Sequence, residues 1–316
     1  MVPTALSRAG MPLLGLLLLC LAVVPTVLAE EDGAPLAFDT PEAATMALID
    51  AAAANDSEKL AAIYGPKSAD MIRDGGDPIV RREREGFAAA AKKKLTLEKQ
   101  AEDSILVVVG ENEWPFPIPL IQKDGKWMFD AESGREEILA RRIGRNELEA
   151  IAILRGYIEA QVAYAAVDRD GDGVREYAQK IKSSEGKKDG LWWPTDPDVD
   201  PELMSPLGPY VESLRRYLSE ESKDAPVNGY YWKILTTQGA NAPGGAHSYV
   251  INGNMIAGFA MVGVPAEYMS TGVMTFLVSH HGKLLEKDLG ENGLDVVKAM
   301  DGYDPDDTWT EVVEDE

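Results

Sequence analysis

One stretch constrains the fold more than any other. Residues 133–179 read SGREEILARRIGRNELEAIAILRGYIEAQVAYAAVDRDGDGVREYAQ, two capped helical segments end to end and then an Asp- and Gly-rich loop. Ser133 with Glu136 three residues on has the form of a capping box, and Gly144 predicts the end of that first segment. Asn146 with Glu149 restarts it. Leu148, Ile151, Leu154, Ile158, Val162 and Ala165 then recur at steps of three and four, which predicts a helix of about five turns with one apolar stripe. Such a stripe normally faces a core, so the helix is expected to pack on the sheet that follows.

The helix runs into Asp168-Arg169-Asp170-Gly171-Asp172-Gly173. Carboxylates on alternate residues with glycine at the sixth position match the first half of an EF-hand-type calcium loop, where hard oxygens surround the ion and glycine lets the backbone turn. The second half departs from that pattern, with Arg175 at the eighth position, Glu176 at the ninth and Gln179 at the twelfth. Two readings stand. One is a structural Ca²⁺ site built from Asp168, Asp170, Asp172 and Glu176; the other is an Asp/Gly-rich helix exit that needs no metal.

At 316 residues the chain exceeds the roughly 100–200 of one domain, so two modest domains are expected. The first covers residues 38–133. Thr40-Pro41-Glu42 supplies a hydroxyl cap, a proline at the first helical position and an acid in the first turn. Asn55-Asp56 caps a second short helix, Ser57–Tyr64, which Gly65-Pro66 ends. A third helix runs from about Val80 to Lys94 and finishes in three lysines, where cations suit a helix C-terminus. Strand signals follow at Leu95–Lys99 and Ile105–Val109, and then Trp114–Ile121 faces Trp127–Phe129 across an Asp124-Gly125 hairpin turn. Pro115, Pro117 and Pro119 alternate, so one strand face lacks amide donors and belongs at a sheet edge. Helices followed by a curled antiparallel sheet are similar to a cystatin- or NTF2-like cone, in which Trp114 and Trp127 either line a pocket or pack the core.

The second domain covers residues 134–316. Residues 184–209 are loop-rich, and Trp192-Trp193 form either a platform for a ligand or partner or a plug under the loop. Residues 209–218 can form a short helix. Strand-like runs follow at 230–236, 248–251, 255–264, 271–279 and 284–287, with Asn252-Gly253 as a hairpin turn. The expected fold class is α+β: N-terminal helices with a curled antiparallel sheet, then one long helix packed on an antiparallel meander.

Residues 1–29 differ in kind. Arg8 precedes the apolar run 11–22, and Val27-Leu28-Ala29 offers small residues for cleavage before Glu30-Glu31-Asp32. A signal peptide cut after Ala29 is expected, followed by a linker at 30–37. The run is shorter than the roughly 20 residues a span needs. Cleavage takes the net charge from −22 to −23 and removes Cys20, the only cysteine, leaving no disulfide and no thiolate. So acidic a chain disfavours nucleic acid and anionic lipid surfaces. The expected location is periplasmic or secreted, without stable membrane insertion.

The catalytic inventory is thin. His280 and His281 sit at a turn, where their side chains are expected to point apart, and a zinc site would need them to converge with His247 and a carboxylate. None of H-E-x-x-H, G-x-S-x-G or G-x-x-x-x-G-K-[ST] occurs. Glu267 beside Tyr268, in the turn after Pro265, is the one acid that stands out.

Two resemblances add to this reading. EAQVAYAAVDRDGDG resembles the exposed half of a type IV pilin helix and its loop. GYYWKILTT and AGFAMVGVPAEYMSTGVMTFLVSHHGKLLEKDLG resemble the pilin-head sheet through Pro265, Thr271-Gly272, Phe276 and Gly282. The prepilin cleavage site and the apolar N-terminal half of the pilin helix are missing. Over nearly the whole mature chain, WPFPIPLI, GREEILARRIGRNEL, DRDGDGVREYA, APGGAHSYVINGNMI and PAEYMSTGVMTF are similar to a bacterial exported family known as domain of unknown function 2950. That resemblance implies export and no particular activity. The expected function is a non-enzymatic interaction or assembly module with an envelope protein as partner. The alternative is a small-ligand-binding or hydrolytic protein using a pocket of the N-terminal cone.

Overall fold

The computed structural model describes residues 34–169, 171–194, 204–207 and 225–313. The expected signal peptide, Asp170 and the helix expected at 209–218 lie outside the described residues. The chain divides into two compact units, one formed by Met1–Lys92 with Gln122–Phe129, the other by Lys93–Ile121 with Asp130–Glu316.

In the first unit the helix ends follow the sequence signals. Helix α1 (Pro41–Ala53) is capped by the Thr40 side chain, which accepts the Ala43 amide, and α2 (Ser57–Tyr64) by Asp56, which accepts that of Lys59. Gly65 ends α2 at φ 82°, and α3 (Pro78–Lys93) follows. The next strands along the chain are β1 (Leu95–Ala101), β2 (Ser104–Val109), β3 (Trp114–Pro115), β4 (Leu120–Lys123) and β5 (Lys126–Phe129), of which β1–β3 fall in the second unit and β5 in the first. Asp124 and Gly125 both take positive φ in the turn between β4 and β5, as a two-residue hairpin requires. Ala44, Leu48, Ile49, Ile63 and Phe129 are buried in this unit, with Tyr64 edge-on to Phe129.

The strand expected over 114–121 is broken. Only Trp114–Pro115 and the residues from Leu120 on are extended into pairs, because the alternating prolines between them have no amide to give a ladder. Both β3 and the start of β4 pair with β2.

The second unit is built on α4 (Ala131–Ala165), 35 residues and about 50 Å in one piece. Two expectations are corrected here. The cap is Asp130, whose carboxylate accepts both the amide and the hydroxyl of Ser133, so Ser133 lies inside the first turn. Gly144 does not stop the helix. A glycine inside a helix costs only about 1 kcal/mol against alanine, and the flanking turns are tied down: Arg141 donates to the Pro115 carbonyl and Asn146 to that of Thr271.

The buried face is also not the expected stripe. Of the six residues at the predicted spacing only Leu154 is fully buried, while Leu148 is 69% and Val162 60% exposed. The face that packs is Ala150, Ile153, Leu154, Tyr157, Ala160, Gln161 and Tyr164. Hydropathy undervalues this face because three of its residues carry polar atoms, and each finds a partner. Tyr157 donates to the Ala260 carbonyl and Tyr164 to that of Lys188, while Gln161 bonds both backbone groups of Ala178.

The remaining strands are β6 (Tyr230–Leu235), β7 (Thr237–Gln238), β8 (His247–Ser248), β9 (Val250–Ile251), β10 (Asn254–Met255), β11 (Ala260–Pro265), β12 (Met274–Ser279), β13 (Leu284–Asp288) and β14 (Thr310–Glu311). The main sheet is an antiparallel meander in the order β14-β13-β12-β11-β6. Helix α4 packs on β11 and β12. A helix not foreseen from the sequence, α5 (Gly293–Ala299), packs on β11, and the Lys233 ammonium closes its C-terminus by donating to the carbonyls of Val297, Lys298 and Met300. Asn252-Gly253 joins β9 to β10 with positive φ at both residues, as expected. The run expected over 255–264 is interrupted at Gly258, at φ 143°, where a Cβ would sit 2.6 Å from the His280 ring. The fold is α+β, and among the described residues no helix is long and apolar enough to cross a membrane.

The face assignment predicts opposite outcomes for two leucines of one helix. In urea unfolding, Leu154→Ala should cost about 2–5 kcal/mol, and Leu148→Ala should stay within about 0.5 kcal/mol of wild type.

Candidate functional site

The Asp/Gly loop is held by its own amides. Asp168 accepts from Gly171 at 2.8 Å and from Gly173 at 3.0 Å. Asp172 accepts from the Val174 amide through one oxygen and from Asn254 Nδ2 through the other, both at 2.7 Å. Glu176 accepts the Met255 amide at 3.0 Å, and Gln179 donates to the Gly253 carbonyl at 2.7 Å. Gly171 and Gly173 take positive φ, which lets the chain curl around Asp168. The carboxylates thus tie the loop to itself and to the β9–β10 hairpin. Among the described residues no group of three His, Cys, Asp or Glu side chains is arranged to hold a metal ion.

The four tryptophans that the sequence singles out as candidate ligand or partner surface are placed differently from one another. Trp193 is 5% exposed in the core, with the Arg169 guanidinium and the Lys188 ammonium each 5.4 Å from its ring centre. Trp192 is half-buried, and its backbone pairs with Ile181 and Ser183. Trp114 is 45% exposed, edge-on to Phe116, with the Arg141 guanidinium 5.9 Å from its ring. Trp127 is half-buried and exchanges two backbone hydrogen bonds with Phe38. Trp114 and Trp127 belong to different units.

The three histidines come together. Tyr249 lies edge-on to both His247 and His280, at 5.6 and 5.4 Å, and the rings of His280 and His281 are 4.1 Å apart. The adjacent histidines at this turn are expected to point apart, and they do not. Here the chain is already turning, with Gly282 at φ 80°, and both rings fall on one side. His280 Nδ1 is buried without a hydrogen-bond partner among the described residues. Burial, and then the neighbouring His281 and His247, hold the His280 imidazole below its ordinary pKa.

A cavity of about 260 Å³ opens between the turn after β11 and the segment leading into α5. Its apolar floor is Val264, Val273 and Leu294, and its rim carries Glu267, Tyr268, Glu291 and Asp295. The PAEYMSTGVMTF segment supplies half of the lining, including the Glu267-Tyr268 pair that stands out in the sequence. The turn is fixed locally. The Thr271 hydroxyl bonds both the amide and the carbonyl of Glu267, and the Ser270 hydroxyl donates to the Glu267 carboxylate. Asp288 joins the two sides of the rim by accepting the Tyr268 hydroxyl at 3.1 Å and the Gly290 amide at 2.8 Å.

Behind the cavity, Glu147 of α4 accepts the amides of Val273 and Met274, at 2.8 and 3.0 Å. Burial, then the Glu147 charge, raises the pKa of Glu286. Sequence reasoning missed Glu147, Glu291 and Asp295. The first reads as an exposed helix acid, Asp295 belongs to a helix of seven residues with no periodic signal, and Glu291 lies in the turn just before that helix.

A family model described as "Protein of unknown function (DUF2950)" matches residues 36–312. No curated protein and no solved structure matches the chain, so the pilin-head and cone resemblances gain no support from a known fold.

The histidine cluster predicts an acid-side loss of stability. His280 binds its proton more weakly folded than unfolded, so the unfolded state takes up the proton first as pH falls. Its contribution is complete above the unfolded pKa of about 6.5 and is lost as pH drops through the lower folded value. Unfolding measured at pH 7.5 and 5.0 should show a drop in wild type that is smaller in His280→Phe.

Proposed function

The chain belongs to the DUF2950 family, and we propose that it is a non-enzymatic interaction or assembly module of the cell envelope. Residues 1–29 export it to the periplasm or beyond. The observation that carries the reading is the outer face of α4. Leu148 and Val162 stand exposed along it, with half-buried Ile151 and Ile158 between them. An apolar stripe with such helical spacing is the pattern by which a helix seats in a partner's groove, and from Leu148 to Val162 this one spans about 21 Å at 1.5 Å per residue. The opposite face of α4 is committed to its own sheet, so the helix can be read by a partner without unfolding. A strongly acidic chain also favours a partner with a basic rim, which speeds and orients encounter. The occupant is therefore an envelope protein offering an apolar groove edged with basic residues.

A photo-crosslinking residue at position 162 of the tagged chain, expressed at native level in its own host, should yield a covalent adduct with an envelope protein. Leu148→Glu should abolish that adduct. An adduct formed only with a second copy of the chain makes the module a self-assembling one, and the absence of any adduct from positions 148 and 162 overturns the reading.

A further inference from the structure

We propose that the cavity between the 265–273 turn and the 290–295 segment is a binding site for an organic cation. The group it fits is an alkylammonium or guanidinium on an apolar stem, whether a free amine or the Lys or Arg side chain of a partner protein. This stands independently of the α4 reading, on different residues and a separate test.

The lining selects this chemistry by elimination and by fit. Three carboxylates (Glu267, Glu291 and Asp295) border the opening, and no basic residue lines it, so an anion is repelled. A bare metal ion is not what the site is built for, since the described residues contain no group of three metal-ligating side chains arranged around one point. A neutral apolar ligand would fill the floor but leave the carboxylates without a counter-charge. A cation on a stem satisfies both. The stem covers Val264, Val273 and Leu294, and the charge stays at the wet rim among the acids, as long basic side chains do elsewhere.

Size and rigidity agree. About 260 Å³ is below the roughly 300–1,000 Å³ of sites for drug-sized ligands, and suits a single side chain or a small amine. Gly293 lines the interior without a side chain of its own, and a Cβ there would lie 3.2 Å from the Leu289 side chain and 3.6 Å from that of Val264. The walls are fixed before a ligand arrives, by Asp288 bridging Tyr268 to Gly290 and by Thr271 closing the turn on Glu267. The Tyr268 ring at the rim adds a cation–π surface. Its phenol is held above its ordinary pKa by the hydrogen bond to Asp288, by desolvation and by the charges of Asp288 and Glu291, which registers the negative field at the mouth. Lys298 approaches Asp295 at 3.4 Å, but both are exposed, and a pair of that kind yields to a ligand cation at little cost.

The test follows backbone amide shifts of Glu267–Val273 and Gly290–Asp295 by NMR in the full exported chain. The chain is titrated with n-butylamine, with a capped lysine peptide, and with the same peptide carrying norleucine. Saturable shifts with a cation and none with norleucine are expected. Glu291→Gln combined with Asp295→Asn should weaken binding about tenfold, since two exposed charges each contribute modestly. The melting temperature of that variant should be unchanged, and added salt should weaken binding in wild type. Binding of n-butylamine alone identifies a free amine as the ligand, and binding of the lysine peptide alone identifies a partner's side chain. Equal shifts with norleucine, undiminished binding by the double variant, or no saturable shift with either cation overturns the proposal.

Discussion

The Gln161 side chain takes the place of a missing β-strand neighbour. Fully buried, it accepts the Ala178 amide and donates to the Ala178 carbonyl, each at 2.8 Å, and its Nε2 also meets the Tyr157 hydroxyl. The segment after the Asp/Gly loop is thereby laddered onto a helix instead of a sheet. An unpaired buried polar group costs about 1–3 kcal/mol, so turning α4 to bury its apolar stripe would strand the Gln161 amide and both backbone groups of Ala178. The gain would be two exposed apolar side chains, Leu148 and Val162, at about 1.5–3 kcal/mol each if fully buried. The two totals are comparable. The further bonds from Tyr157 to Ala260 and Tyr164 to Lys188 tip the balance to the observed face.

This balance explains what was legible in the sequence. Helix starts set by a short polar cap at Thr40 and Asp56, and the turns at Asp124-Gly125 and Asn252-Gly253, are decided within a few residues and appear where the sequence places them. The meander from β6 to β13 was readable for the same reason, since β-branched runs and turn residues alternate. The side of α4 that packs was not, because it is fixed by Ala178 and Ala260, remote in sequence. The continuity of α4 through Gly144 likewise depends on Pro115 and Thr271, which no local rule consults.

The candidate site was legible in half. Glu267 and Tyr268 announce themselves because a proline, a carboxylate and a phenol share a short turn. Their counterparts Glu291 and Asp295 reach the same cavity only because Asp288 and the meander fold the segment after β13 back beside that turn. The histidines teach a related lesson. His247 is more than thirty residues from the other two, Tyr249 is the ring that brings it beside His280, and His281 packs on His280.

In a chain this acidic, abundance alone cannot single out a carboxylate, but the accounting of hydrogen-bond donors can. Asp168, Asp172 and Glu176 each accept backbone amides, and Glu147 accepts two more at the start of β12. An acid placed this way replaces a ladder partner or a cap, and neutralising it exposes an orphaned amide. Glu291 and Asp295 differ in kind. They border an apolar recess and face water, so their charge is available to whatever enters and costs the fold little to remove. Substituting an acid of the first class should therefore be felt as lost stability, and one of the second as lost binding. That difference separates scaffold from site in a protein where both are made of the same residues.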